Sequence, residues 1–492
     1  MKFFIPLTIF ITGAVIMVLE ILGFRLLAPY FGYSVYVWGS LIGIIMSALS
    51  VGYYVGGKLA DRQAQPQKLY VVIFACASYI FLVRFFFAAL MKPLMGSNLI
   101  SSTLIASLII FGPPMLGLSM VSPFVIGFEG KEGKIGTTAG KIYGLSTVGS
   151  IFGTFLSAFY LVPNFGTQAT LNTCFWTLLI LSIAGLILTK GKKALFLLPF
   201  LGISFLPASR DTSNFVSQEK ESLFDGESRY ARLMVIKNPF DQLITFQSSR
   251  LSAHSFYMKN TILSGKNFYH DFFILPPLLH PEAKNMLLLG VAGGVSLRQI
   301  HYFFPQLELD AVEIDEKMID VATKFFDLKP DPKIHIHIAD ARPFLAHNSK
   351  KYDLIGVDLY GGGVSIPFYV ATEEFYQLVR DHLQPQGLMV MNISGPRREL
   401  LNTVAKVFDS VFTIKGFSVA MASPNKMNTE DLKTHLRQLN LAVSPLDPEY
   451  DHLNDILVKT WEGFEGVAYD PTLTSFTDDH SNIEKLTFLN HH

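Results

Sequence analysis

The chain has 492 residues, half of them hydrophobic and only 16% charged, and its 40 basic and 40 acidic side chains leave a net charge of zero. A neutral balance excludes nucleic acid as the main partner, because binding to phosphates needs a basic face. The two cysteines, Cys76 and Cys174, sit in apolar runs, which excludes a disulfide framework and a cysteine-based zinc site, so no metal is expected.

The apolar excess lies in residues 1–208. Runs at 3–27, 35–57, 69–90, 99–128, 142–162 and 169–189 each reach the ~20 residues needed to cross a bilayer as helix. A seventh run, 194–208, is short and holds two prolines, so it can span, re-enter or lie at the surface. The first run is too long for a cleavable signal and contains Glu20 and Arg25. Basic residues cluster at Lys58, Arg62 and Lys68, at Lys131, Lys134 and Lys141, and at Lys190, Lys192 and Lys193, with Lys92 an exception. That pattern predicts six spans with the amino terminus and the large second half in the cytoplasm. Charges at bilayer depth are costly. Glu20 and Arg25 are therefore read as a pair that locks helices, and Arg84 as snorkelling; a polar site between helices is the other reading. Small residues through GLSTVGSIFGTFLS (144–157) predict tight helix packing.

Residues 209–280 form a linker and a small β-rich region. ESRYARLMVIKNPFDQLITF (227–246) alternates about an Asn-Pro turn and reads as a β-hairpin. Tyr269, His270 and Asp271 then precede an apolar helical run. Residues 281–492 read as an α/β domain. Its first strand ends in a small-residue turn at Gly290, Ala292, Gly293 and Gly294, and its second, 309–312, ends at Glu313 and Asp315. The third, 334–338, ends at Asp340 and Ala341, and the fourth, 354–357, at Asp358. A fifth strand is expected at 388–393, after a helix at 375–383 and a turn at 384–387. Glycines let a backbone approach a nucleotide closely, an acid at the next strand end accepts both ribose hydroxyls, and open parallel sheets bind ligands at these ends. The series of strand ends predicts a nucleotide-type crevice.

These residues resemble a known family. Glu227, Ser228 and Tyr230, the Tyr269-His270-Asp271 step, the glycine turn, Glu313-x-Asp315, Asp340 and Asp358 look like spermidine synthase, a polyamine aminopropyltransferase on the class I methyltransferase-like Rossmann fold. The loop from Asp358 to Pro367, Arg25-Leu-Leu-Ala-Pro-Tyr-Phe-Gly32, Val37-Trp-Gly-Ser40, Gly56-Gly-Lys-Leu-Ala-Asp-Arg62 and Thr477-Asp-Asp479 resemble a branch fused to an all-α polytopic membrane domain. The resemblance implies a bacterial inner-membrane protein that moves an aminopropyl group from decarboxylated S-adenosylmethionine to an amine such as putrescine. A homodimer is compatible with it. It also implies that Gly290, Gly293, Gly294, Glu313, Asp315, Asp340 and Ala341 hold the nucleoside. Tyr269, His270, Asp271 and Tyr360 would face the amine, with Asp358 as the base. The chain departs from the family pattern at three places: an acid is replaced by Gly293, a second acid is missing from Asp358-Leu-Tyr-Gly-Gly362, and Gly265-Lys-Asn-Phe268 stands in place of an acidic pair. Two alternatives stay open: an S-adenosylmethionine-dependent methyltransferase, and a transporter or sensor that binds a nucleoside or polyamine without turnover.

Overall fold

The computed structural model describes residues 3–31, 35–63, 65–94, 99–130, 135–190, 220–249, 252–266, 268–361, 366–393, 397–438, 447 and 449–479. The chain divides into two compact units, Met1–Phe215 and Val216–His492. The sequence run 194–208 and the loop 362–365 lie outside the described residues.

The first unit is helical throughout: α1 (Phe4–Phe31), α2 (Val35–Gln63), α3 (Pro66–Met91), α4 (Leu99–Ser119), α5 (Val121–Glu129), α6 (Ile135–Leu156) and α7 (Val162–Lys190). Segments apolar on every side must satisfy their backbone internally, and helix does so. Among the described residues five helical stretches are long and apolar enough to cross a membrane. The last, Ile135–Thr189, runs for 55 residues and contains both the fifth and the sixth sequence runs. As one straight helix it would measure ~80 Å, well over the ~30 Å of a hydrocarbon core. It is interrupted by a π turn at Ser157–Leu161 and by Gly166, whose φ of 77° and ψ of 177° are not helical. The tandem prolines of α4, Pro113 and Pro114, cannot donate to the carbonyls four residues back. The Tyr79 hydroxyl donates instead to the Ile109 carbonyl at 2.5 Å.

Helices α1 and α6 pack backbone to backbone. A Cβ on Gly149 would lie 2.1 Å from the Phe10 carbonyl oxygen, and one on Gly153 would lie 2.3 Å from that of Ala14. Ser150 Oγ donates across the contact to the Gly13 carbonyl at 3.2 Å. The small-residue stretch read from the sequence is thus a helix interface.

The second unit opens with an antiparallel meander of β1 (Glu221–Glu227), β2 (Arg232–Lys237), β3 (Ile244–Ser249) and β4 (Ser252–Tyr257). The expected hairpin is its middle pair, β2 and β3. After the short α8 (Leu275–Leu279) comes the main sheet, with β5 (Asn285–Leu289), α9 (Val295–Phe303), β6 (Glu308–Glu313) and α10 (Glu316–Phe325). Then follow β7 (Ile334–Ile338), α11 (Ala341–His347), β8 (Tyr352–Val357), α12 (Glu373–Asp381), β9 (Leu383–Asn392) and α13 (Arg397–Val407). Strand β9 starts earlier than expected, and the residues read as a turn at 384–387 fall within it, beside a register shift against β8. The chain ends on β10 (Ser410–Ile414), β11 (Val419–Ser423), α14 (Thr429–Gln438), α15 (Tyr450–Gly463) and β12 (Phe464–Val467).

The sheet order is β12-β10-β11-β9-β8-β5-β6-β7, parallel from β7 to β9 and antiparallel beyond. This is the class I methyltransferase-like Rossmann arrangement. Alternate residues of β5 enter opposite cores, Met286 and Leu288 one layer, Leu287 and Leu289 the other. Strand order reverses between β5 and β8, which places a crevice at their carboxyl ends.

The α1–α6 contact gives a direct test. Gly149→Ala gains helix propensity of ~1 kcal/mol yet must push the backbones of α1 and α6 apart, so the full-length protein in detergent should melt several degrees lower. Gly144→Ala, where an added Cβ meets nothing within 4 Å, should leave the melting temperature unchanged or raise it.

Candidate active site

The crevice is built on the two strand ends at the reversal. Gly290 has φ of +92°, and a Cβ there would meet the Asp358 carbonyl oxygen at 2.1 Å. Only glycine fits both the angle and the approach. The Gly290 N–H donates to the Val312 carbonyl and the Asp358 N–H to the Leu289 carbonyl, each at 2.8 Å, so the turn is tied to both neighbouring strands. Gly294, at φ of +69°, caps α9 in the left-handed region. Gly293 lies under β4: its N–H donates to Ser255 Oγ at 2.9 Å.

Glu313, at the end of β6, turns back onto the glycine turn. Its Oε2 accepts from the N–H groups of Val291 at 3.1 Å and Ala292 at 3.0 Å, while Oε1 accepts from the Asp315 N–H at 3.1 Å. Burial pushes its pKa up, and those amide hydrogen bonds oppose the rise. Asp315 caps α10 by accepting from the Lys317 N–H at 3.1 Å. Asp340 caps α11, ahead of buried Ala341, by accepting from the Arg342 N–H at 3.1 Å, and its Oδ2 accepts from the Tyr369 hydroxyl at 3.2 Å. Arg342 forks onto Asp478 at 2.7 and 2.5 Å. Asp478 thus supplies a latch onto the helix that Asp340 begins.

Asp358 sits at the floor. Its Oδ2 lies 2.9 Å from the Tyr269 hydroxyl, and its Oδ1 accepts from Asn392 Nδ2 at 3.0 Å. The Tyr269 hydroxyl is also 2.8 Å from the His254 carbonyl, so one proton serves two acceptors. Tyr360 reaches the Asn392 side-chain oxygen at 3.3 Å. Burial raises the Asp358 pKa to about 6; the hydrogen bonds from Asn392 and Tyr269 oppose the rise, and the charge of Glu313 adds to it.

Ser255, Tyr269, His270, Phe273, Gly290, Val291, Ser296 and Asp358 line one cavity. His270 is 2% exposed, stacked on Phe256 at 6.2 Å with Tyr269 edge-on at 5.4 Å, and neither ring nitrogen has a hydrogen-bond partner. Burial lowers its pKa, which keeps it neutral. Asp271 Oδ1 lies 3.7 Å from His270 Nε2, beyond hydrogen-bond reach, and its hydrogen bonds go to other groups. It is fully buried, accepts from Gln299 Nε2 at 2.7 Å and the Ser264 N–H at 3.1 Å, and ties the step to α9. The structure therefore brings Tyr269, His270, Gly290 and Asp358 to one cavity, with Tyr360 joined through Asn392. Asp271 is held in the core. Sequence reading missed Asn392, Ser255 and Tyr369. Asn392 ends the fifth strand, so the strand-end rule that singled out the acids points to it as well.

Residues 267–421 match the family model described as the spermine/spermidine synthase domain. A probable polyamine aminopropyl transferase of Bifidobacterium longum is 34% identical over 225 residues, 44% of this chain and 48% of that protein. An eEF1A lysine and N-terminal methyltransferase homolog of Drosophila melanogaster is 30% identical over 151 residues, 28% of this chain and 22% of that one. The chain thus spans about half the length, or less, of these two relatives. The crystal structure of spermidine synthase from Thermotoga maritima aligns at a TM-score of 0.38 with 21% identity, covering 49% of this chain and 83% of that one.

Because Asn392 and Tyr269 both favour the ionised carboxylate, removing either donor should raise the Asp358 pKa above 6. Asn392→Leu should shift it upward by roughly one pH unit, and Tyr269→Phe should act in the same direction. Infrared titration of the carboxylate band, with Asp358→Asn subtracted, reads the shift directly. An unchanged or lowered midpoint would show that these contacts do not set the charge.

Proposed function

We propose that this chain, whose second unit carries a spermine/spermidine synthase domain, is a membrane-anchored aminopropyltransferase acting on decarboxylated S-adenosylmethionine and an amine such as putrescine. The observation that carries the reading is Asp358. Its carboxylate lies at the strand reversal beside the glycine turn, gripped by Tyr269 and Asn392, with a pKa of about 6. A general base works best when its pKa lies near the working pH.

In this reading Gly290, Gly293 and Gly294 pass the backbone close to the nucleoside. Glu313 accepts from the ribose hydroxyls with the lone pairs that the turn amides leave over, and Asp340 and Ala341 border the adenine. The Arg342–Asp478 latch steadies α11 on that side. His270 offers a neutral ring to the cavity. A buried polar group left without a partner costs about 1–3 kcal/mol, which a ligand hydrogen bond would recover. The amine nitrogen attacks the propyl carbon bound to the sulfonium. A C–N bond forms, the C–S pair moves to sulfur, and neutral methylthioadenosine leaves. The proton released from nitrogen goes to Asp358. The positive sulfur is already a good leaving group, so the protein's task is to align a neutral amine and accept its proton. The basic cluster Lys58, Arg62 and Lys68 by the α2–α3 connection supports placing the second unit in the cytoplasm.

The test uses the full-length protein in detergent, with products read by mass spectrometry. Decarboxylated S-adenosylmethionine with putrescine should yield methylthioadenosine. S-adenosylhomocysteine formed from ordinary S-adenosylmethionine would assign a methyltransferase instead, and nucleoside binding without product from any amine would assign a carrier or sensor. Asp358→Asn should lower kcat by ~10²–10⁴ while nucleoside affinity changes only a few-fold; unchanged turnover would remove Asp358 from the chemistry. Since the ionised carboxylate is the active form, the wild-type rate should rise about tenfold per pH unit below 6 and bend near 6. The variant should lack that bend.

A further inference from the structure

We infer that the first unit holds a second binding site, centred on Arg84, for the anionic head of an amphiphile: a carboxylate or phosphate carried on an acyl chain. A cleft within that unit is lined by Leu19 and Leu26 of α1, Arg84 of α3, Phe111 of α4, and Gln168 and Leu171 of α7. Arg84 brings the cation, and apart from Gln168 those residues are apolar. Among the described residues no carboxylate lies within ion-pair distance of Arg84, Glu20 included; the contact found for its guanidinium is the Phe85 ring at 5.9 Å. A charge in an apolar helix bundle is costly and is kept where it has a counter-charge or a ligand.

The broken helix supports the same reading. Gly166 interrupts α7, and Gln168 and Leu171, which line the cleft, fall in the first turns after the break. A helix that restarts there has a partly positive end with amides outside the helical ladder, which favours an anion. The cleft is small and partly open, so it suits a head group rather than a whole lipid. The remainder of the ligand must then lie along the apolar lining. Arg84 stands seven positions before Met91, the end of α3, or ~10 Å along the axis. That depth suits a head group drawn slightly inward with its chain in the hydrocarbon. The same cation would repel a polyamine, so the cleft is not a path for the amine of the proposed reaction.

The test is native mass spectrometry of the full-length protein, delipidated in detergent and incubated separately with phosphatidylglycerol, phosphatidylcholine of the same chains, oleate and inorganic phosphate. Phosphatidylglycerol or oleate should be retained at least tenfold more than phosphatidylcholine, and whichever is held identifies phosphate or carboxylate as the head. Arg84→Gln should abolish that preference and Arg84→Lys should keep most of it. Equal retention of the two phospholipids, retention unchanged in Arg84→Gln, or inorganic phosphate binding as well as the amphiphile would each overturn the proposal. A readout that needs no substitution guards against a variant that fails to fold. The wild-type melting temperature should rise by several degrees with the retained amphiphile and not with phosphatidylcholine; no rise would also overturn it.

Discussion

At the centre of the second unit, the backbone of Gly290 passes so close to the carbonyl of Asp358 that no side chain could be accommodated between them. This contact joins the ends of β5 and β8, the two strands between which the sheet reverses its order. The glycine turn and the Asp358 carboxylate are therefore placed by the same piece of backbone. In the proposed reading, what would hold the nucleoside and what would take the proton share one origin of coordinates. Glu313 strengthens the arrangement from the third side, because its carboxylate receives two amides of the turn. The turn is organised by protein groups before any ligand arrives, so ordering it adds little to the cost of binding.

The first unit rests on a different constraint. In the proposed membrane setting, lipid gives apolar side chains no reason to leave it, so helices associate where their backbones fit. In α1 and α6 the fit comes from Gly149 and Gly153 against the carbonyls of Phe10 and Ala14. Where the ladder is interrupted, other groups take up what is freed: Tyr79 serves the Ile109 carbonyl opposite the α4 prolines. Gly166 interrupts α7 two positions before Gln168, which lines the same cleft as Arg84.

The crevice is legible in the chain alone because its signals are local. A strand, a small-residue turn and an acid at the next strand end lie within a few dozen residues, and physics fixes their order. Asp358 and Gly290 can be paired from the parallel strand logic alone. The meander is only half visible, since Ser252–Tyr257 is too rich in polar residues to alternate clearly and owes its strand to pairing with β3. The Arg342–Asp478 latch spans 136 positions and has no local trace. Ser255 enters the site only because β4 folds over Gly293. Asp271 shows the opposite limit: a charged residue beside Tyr269 and His270 looks chemical in sequence, yet its oxygens are taken by Ser264 and Gln299. Neighbours in sequence share a site only when their side chains leave the backbone in the same direction.

His270 carries a consequence of another kind. Its ring is walled in by aromatic neighbours, and neither nitrogen has a hydrogen-bond partner, although Asp271 Oδ1 stands 3.7 Å from Nε2. A buried imidazole without a hydrogen bond costs more than an apolar residue of similar shape. Selection for stability alone would replace the imidazole. The residue makes sense for a fold tuned in its occupied form, with durability and affinity set against each other at one position. In the proposed reading, such a protein would be hardiest when its small molecule is abundant and most readily unfolded when it is scarce.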